Sequence, residues 1–143
     1  MRNVQQLLEN KPYQLLSISP TASVLDALRQ MAEKEIGALV VLDGEKLAGI
    51  FSERDYARKI ILFGKSSHDT AVSEIMTPSV VCVRPSQSAD ECMALMTGRR
   101  VRHLPVLSED DKVVGVISIG DVVKEMIDDQ RRTIEQLEQY IKS

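Results

Sequence analysis

Residues 49–59 read GIFSERDYARK and residues 115–125 read GVISIGDVVKE. Both follow one template: glycine, two apolar residues, serine, two variable residues, aspartate, then a stretch with helical apolar spacing. Taken once, Ser-x-x-Asp is the pattern of a capping box. The serine accepts a hydrogen bond from an orphan backbone N–H, and an acid in the first turn suits the helix dipole. Taken twice, it directs attention to what surrounds each copy.

Working outward, the chain is written twice. SISPTASVLDALRQMAEKEIGALVVLDGEKLAGIFSERD lies over CVRPSQSADECMALMTGRRVRHLPVLSEDDKVVGVISIGD. Pro20 meets Pro85, Ser23 meets Ser88, Met31 meets Met96 and Leu39 meets Leu104. After one extra residue in the loop beyond Asp43, Gly49, Ser52 and Asp55 meet Gly115, Ser118 and Asp121. An internal duplication fixes the fold more firmly than any single element does.

Each copy reads as β-α-β-β-α. LLSIS and VVCVR are extended runs ended by Pro20 and Pro85, which bias the preceding residue toward β geometry. Val24, Leu28 and Met31, and likewise Ala89, Met93 and Met96, are spaced for one apolar helix stripe. ALVVL with LAGIF, and LPVL with VVGVI, form the strand pairs, and a second helix opens at each Ser-x-x-Asp. One such unit of about sixty residues buries too little surface to be more than marginal alone. The expected fold is therefore α+β: two units packed sheet-to-sheet about a pseudo-twofold axis, sharing one core, with extra terminal helices. Residues 1–75 hold an N-terminal helix, the first unit and the linker; residues 76–143 hold the second unit and a C-terminal helix. The connecting KSSHDTAVSEIMTPS reads as a loop and a short helical turn. In the last helix, Val123, Met126, Ile127, Ile134, Leu137 and Ile141 keep near-helical spacing. Packing onto its own domain and a dimer contact both fit that stripe. Asp128, Asp129, Glu135 and Glu138 offset its cations and argue against a membrane-surface helix.

Composition removes other classes. The chain has 143 residues, 43% apolar and 27% charged, with a net charge of −3, which argues against a general nucleic-acid binder. With no Trp and two Phe, it lacks stacking platforms for single strands. No apolar run approaches a membrane span, and MRNVQQLLENK has neither a secretory core nor the Arg and Ser of a transit peptide. Cys82 and Cys92 show no metal spacing and read as reduced thiols of a cytoplasmic protein, with a redox role for Cys82 left open. His68 reads as a solvated loop residue. There is no Walker A loop, G-x-S-x-G or HExxH, and no histidine pairs with Asp55 or Asp121 in sequence. A nucleotide-hydrolysing or redox enzyme and a DNA-binding accessory protein stay as alternatives. The basic RDYARKII stretch follows Glu53 and has no recognition helix after it.

A helix N-terminus can hold a phosphate, and an acid one turn in can accept ribose hydroxyls. Glycine within the preceding strand allows close approach. Physics permits a nucleotide at each corner without demanding one. The duplicated unit closed by GIFSERD and GVISIGD resembles a tandem pair of CBS domains, a Bateman module, from about residue 13 to 128. FSERDYARKIILFGKSSHDTAVSEIMT, RVRHLPV and ISIGDVVK are further similar to small stand-alone CBS-pair proteins of bacteria and plant mitochondria, which have no fused catalytic domain.

The resemblance implies a non-catalytic module for signalling or energy sensing, with no catalytic cofactor and no metal. It implies an adenosine ligand (AMP, ADP, ATP or NAD) in the clefts between units, a homodimer and an unidentified regulated protein. By the family's pattern, Asp55 and Asp121 take ribose, while Ser52 and Ser118 take phosphate. Ile18 and Val83 would lie near the adenine, framed by Ala38 and by His103, Leu104 and Pro105. The first copy departs from this pattern, with Val40 where the second has Pro105. Arg54 and Arg58 stand four apart, whereas the second copy offers only Lys124. Phosphate recognition is therefore expected to be asymmetric, with Arg54, Arg58 or Arg102 reaching across the interface.

Overall fold

The computed structural model describes residues 1–11 and 15–143. The start of the family resemblance, near residue 13, lies outside the described residues. The chain runs α1 (Val4–Glu9), β1 (Ser17–Ile18), α2 (Val24–Lys34), β2 (Ala38–Asp43), β3 (Lys46–Ser52) and α3 (Glu53–Asp55), which a π-helical stretch continues (Tyr56–Ile61). Then follow α4 (Val72–Ile75), α5 (Ala89–Arg99), β4 (His103–Leu107), β5 (Val113–Ser118) and α6 (Ile119–Lys142).

The two units share their punctuation. Ser23 caps α2 by accepting from the Asp26 N–H at 3.1 Å, and Ser88 caps α5 by accepting from the Glu91 N–H at 3.1 Å. Both helices end on a non-glycine residue in the left-handed region, Glu35 (φ 54°) and Arg100 (φ 55°), which turns the chain into the next strand. The hairpins β2–β3 and β4–β5 are antiparallel, and each slips register at the same place, after Val41 and after Val106.

In the first unit β1 lies parallel to β2, with Ser17 opposite Val40 and Ile18 opposite Val41. The counterpart in the second unit, expected as a strand over VVCVR, shrinks to an isolated parallel bridge between Val83 and Val106. Val83 donates to the Pro105 carbonyl at 3.0 Å and accepts from Leu107 at 2.9 Å. Pro105 has no N–H, so the next rung of the ladder has no donor there. The proline that distinguishes the second copy is what shortens its sheet.

The expected single shared core is two cores. One gathers Val24, Ala27, Met31, Leu39, Val41 and Phe51 with Ile60, Val72 and Ile75. The other gathers Val83, Cys92, Met96, Leu104, Val106 and Ile117 around Val4 and Leu7. Along β2, Leu39 and Val41 face the first core, while Ala38 and Val40 on the opposite face are buried without joining either cluster. Pro105 is buried in the same way in β4. Burial on both faces is what packing of the two sheets across the pseudo-twofold axis requires. Each fully buried Val, Leu or Phe contributes about 1.5–3 kcal/mol, so neither core is incidental.

The lead helices are exchanged between the units. α1 precedes the first unit in the chain, yet Val4 and Leu7 are buried in the core of the second. α4 precedes the second unit and buries Val72 and Ile75 in the core of the first. The bonds repeat in detail: Val4 N–H donates to the Gln87 carbonyl and Val72 N–H to that of Ala22, both at 2.8 Å. Gln5 and Ser73 then donate to the carbonyls of Pro85 and Pro20, both at 2.9 Å. The two glycines of the opening motif receive these helices. A Cβ on Gly115 would meet Leu8 Cδ2 at 2.5 Å, and one on Gly49 would meet the Thr77 carbonyl at 2.7 Å.

α6 packs onto its own unit in its first turns, through buried Val122 and partly buried Met126, with Glu125 buried beside them. Buried Glu125 accepts from Arg132 at 3.0 and 3.1 Å and from the Arg2 backbone N–H at 2.8 Å, which also ties down the start of α1. Beyond Arg132 the helix is exposed, with Ile134 at 54%, Leu137 at 57% and Ile141 at 80% of full accessibility. Its own domain therefore covers only part of the stripe. Among the described residues no helix is long and apolar enough to cross a membrane.

Candidate functional site

Each Ser-x-x-Asp corner forms where a strand's end turns into a helix, and each is a capping box in fact. Asp55 N–H donates to Ser52 Oγ at 3.2 Å while Ser52 N–H donates to Asp55 Oδ2 at 3.0 Å. The second corner repeats this at 3.2 and 2.8 Å with Asp121 and Ser118. The first N–H after each serine bonds to the residue just before the paired strand: Glu53 donates to the Gly37 carbonyl at 3.1 Å, and Ile119 to that of Arg102 at 2.9 Å. The capping reading is thus correct, and it leaves open what the corners face.

They face two cavities. One, about 600 Å³, is lined by Ser52, Asp55, Arg54, Arg58, Lys59 and Thr77, with Val80, Val81 and the Arg100–His103 turn opposite. The other, about 460 Å³, is lined by Ser118, Asp121, Lys124 and Lys11, with Leu15, Leu16 and the Glu35–Ala38 turn opposite. Each cavity therefore takes one wall from each unit. Gly37 and His103 line both, and the imidazole lies close to Gly37, where a Cβ would meet it at 3.5 Å. Burial, then the Lys11 charge, lowers the His103 pKa below its usual 6.5; Asp121 partly offsets this and Arg102 adds to it. The neutral form of the imidazole is therefore favoured.

Of the residues expected at a ligand, Ser52, Arg54, Asp55, Arg58, Arg102 and His103 meet at the larger cavity. Ala38, Ser118 and Asp121 meet at the smaller, again with His103. Ile18, Val83, Leu104 and Pro105 line neither cavity. Ile18 and Val83 are paired inside the sheets, opposite Val41 and Val106, and Leu104 lies in the second core. Both cavities open at the starts of these segments instead, so Leu15 and Leu16, and Val80 and Val81, form the apolar walls.

Two further residues were not legible in the motif. Thr77 Oγ1 donates to Asp55 Oδ1 at 3.1 Å, and Lys59 adds an ammonium at 3.5 Å from the same oxygen. At the other corner Lys11 Nζ donates to Asp121 Oδ2 at 2.8 Å and to the Val116 carbonyl at 2.9 Å. Thr77 follows α4 and Lys11 follows α1, so each aspartate is gripped by the segment behind an exchanged helix.

Cys82 and Cys92 line neither cavity. Burial pushes the Cys82 thiol up against an opposing pull from Arg84, and burial with Glu91 pushes Cys92 up to about 11. Both are protonated at neutral pH, which is not the state of a reactive thiol. Among the described residues no group of three or more His, Cys, Asp or Glu could hold a metal ion.

The CBS domain profile matches residues 10–62 and 72–128. A curated relative, the mitochondrial CBS domain-containing protein CBSX3 of Arabidopsis thaliana, is 42% identical over 83% of this chain and 60% of its own length. The chain thus spans less than two thirds of that relative. A solved structure of a putative signal-transduction protein with CBS domains from Burkholderia ambifaria is 54% identical, covers 90% of this chain and 96% of its own, and superposes with a TM-score of 0.85. The structure of CBSX2 in complex with AMP is 28% identical, covers 91% of this chain and 99% of its own, with a TM-score of 0.70.

Proposed function

The chain belongs to the CBS domain family, and from that premise we propose that it is a non-catalytic regulatory module. Its two inter-unit cavities bind adenosine-containing ligands, of which AMP, ADP, ATP and NAD share the adenosine half that the corners would read. The observation that carries the reading is the pairing of Ser52 with Asp55 and Ser118 with Asp121 on cavities walled by both units. At each, the carboxylate can accept ribose hydroxyls, the serine and helix start can face a phosphate, and the apolar residues can hold a base. The AMP complex of CBSX2 supports the class of ligand.

Occupancy would reach other proteins through a homodimer. The exposed stripe of Ile134, Leu137 and Ile141 on α6 supports a second copy as its cover. A ligand shifts such an assembly only by binding its two states unequally. Cytoplasmic residence belongs to the same proposal and rests on sequence composition alone.

Thermal denaturation with AMP, ADP, ATP or NAD tests the reading. A true ligand at a hundred times its Kd should add about 2.7 kcal/mol of stability. The double variant Asp55→Ala/Asp121→Ala should keep its fold and lose that shift. No shift with any of the four at millimolar concentration would remove the proposal.

A further inference from the structure

We propose that the two cavities sort adenosine ligands by charge. The Ser52–Asp55 cavity takes a di- or triphosphorylated nucleoside, and the Ser118–Asp121 cavity takes an adenosine compound without net negative charge. The inference rests on the adenosine reading above and assigns a ligand class to each site.

The larger cavity is lined by Arg54, Arg58, Arg100 and Arg102, against Glu53. Lys59 and Asp55 also line it but offset one another across 3.5 Å. Four guanidinium groups, planar and multiply donating, are the side chains suited to gripping phosphate oxygens from several directions. Arg54 is already steered there, since its Nη1 donates to the Arg100 carbonyl at 3.2 Å.

The smaller cavity is balanced. Lys11 is held by Asp121, and Lys124 and Glu35 are the other two charged residues on the walls, so the lining charges cancel. Among the described residues no guanidinium lines it. A polyphosphate there would lose water for one ammonium, that of Lys124, with Glu35 on the same walls, which is unfavourable. Asp121 Oδ1 has no hydrogen-bond partner among the described residues, so a ribose hydroxyl can be accepted without displacing anything.

The contrast is written at equivalent positions. Arg100 and Glu35 are the same left-handed helix terminus in the two units, with opposite charge. Arg54 corresponds to Gly120, and Arg102 to Gly37. Three separate replacements make one cavity cationic and leave the other balanced.

Isothermal titration of the full chain with ATP, with adenosine, and with each after saturation by the other tests the sorting. One ATP and one adenosine per chain are expected, neither displacing the other. The ATP affinity should fall steeply with added salt and the adenosine affinity should not. The variant Arg54→Ala/Arg102→Ala, both exposed in the fold, should lower ATP affinity relative to adenosine affinity by about tenfold or more. Asp121→Asn should remove the adenosine isotherm. Two ATP per chain, or competition between ATP and adenosine, overturns the sorting while leaving the adenosine reading intact. Binding of neither overturns that reading and the sorting with it.

Discussion

The two Ser–Asp corners make the same pair of capping hydrogen bonds and differ in how their carboxylates are held. Asp55 has both oxygens engaged, by Ser52 and by Thr77 with Lys59. Asp121 has one oxygen held by Ser118 and Lys11 and the other unpaired among the described residues. The helices that follow diverge as well. The first passes into a π-helical stretch and ends by Ile61, whereas the second runs straight to Lys142. The caps are built by the residues of the motif. Part of each site's individuality comes from outside the motif, from Thr77 and Lys11 in the segments behind the exchanged helices.

The glycines give the sharpest way to break this comparison. Gly49→Ala would press a methyl group on the Thr77 carbonyl, which is backbone and is itself bonded to Ile50. Gly115→Ala would press on the end of Leu8, a side chain that can rotate. Urea denaturation should show a loss of about 2–3 kcal/mol for the first and about 1 kcal/mol for the second. Equal losses would mean that the two exchanged helices are seated equally rigidly.

Removing the caps should have a smaller effect. Ser52→Ala and Ser118→Ala should each cost about 1 kcal/mol. Ser52 should cost somewhat more, because its hydroxyl also donates to Asp55 Oδ2 at 3.0 Å. The reverse order in chemical denaturation would show that Lys11 makes the second corner the stiffer one.

The smallest effect is acid sensitivity confined to one unit. His103 corresponds to Ala38 in the first copy. Its folded pKa lies below its usual 6.5 through burial and the charges of Lys11 and Arg102, against Asp121. As pH falls through about 6.5 the unfolded chain binds a proton that the folded chain resists, so stability declines. His103→Gln should flatten the slope of stability against pH between about 7 and 5. An unchanged slope would place the sensitivity elsewhere.

The sequence made the duplication, both caps and the charged character of the first copy readable, because punctuation such as Pro20/Pro85 and Ser23/Ser88 survives in both copies. What it hid was non-local. The missing strand at Val83 follows from one absent N–H, on Pro105, more than twenty residues away. The family resemblance implies Ile18 and Val83 near the base, and the fold pairs both inside the sheets. Only the folded sheets show that the cavities open at Leu15–Leu16 and Val80–Val81. Lys11 and Thr77 lie outside both Ser-x-x-Asp motifs and gain their roles through the helix exchange. A faint signal existed in VQQLL over VSEIM, where Val4, Leu7 and Leu8 fall on Val72, Ile75 and Met76. It is too short to weigh without the matching hydrogen bonds.

That exchange also bears on ancestry. The correspondence between halves begins at Val4 and Val72, ahead of the first strands, so the repeated unit includes a helix it does not use itself. A lone copy folding by the same rule would offer its lead helix outward and leave its own core open at the matching place. Two such copies would complete each other as a swapped pair. The present chain is the covalent form of that pair, with residues 65–71 as the join. Severing the join would leave the two halves still clasped by α1 and α4.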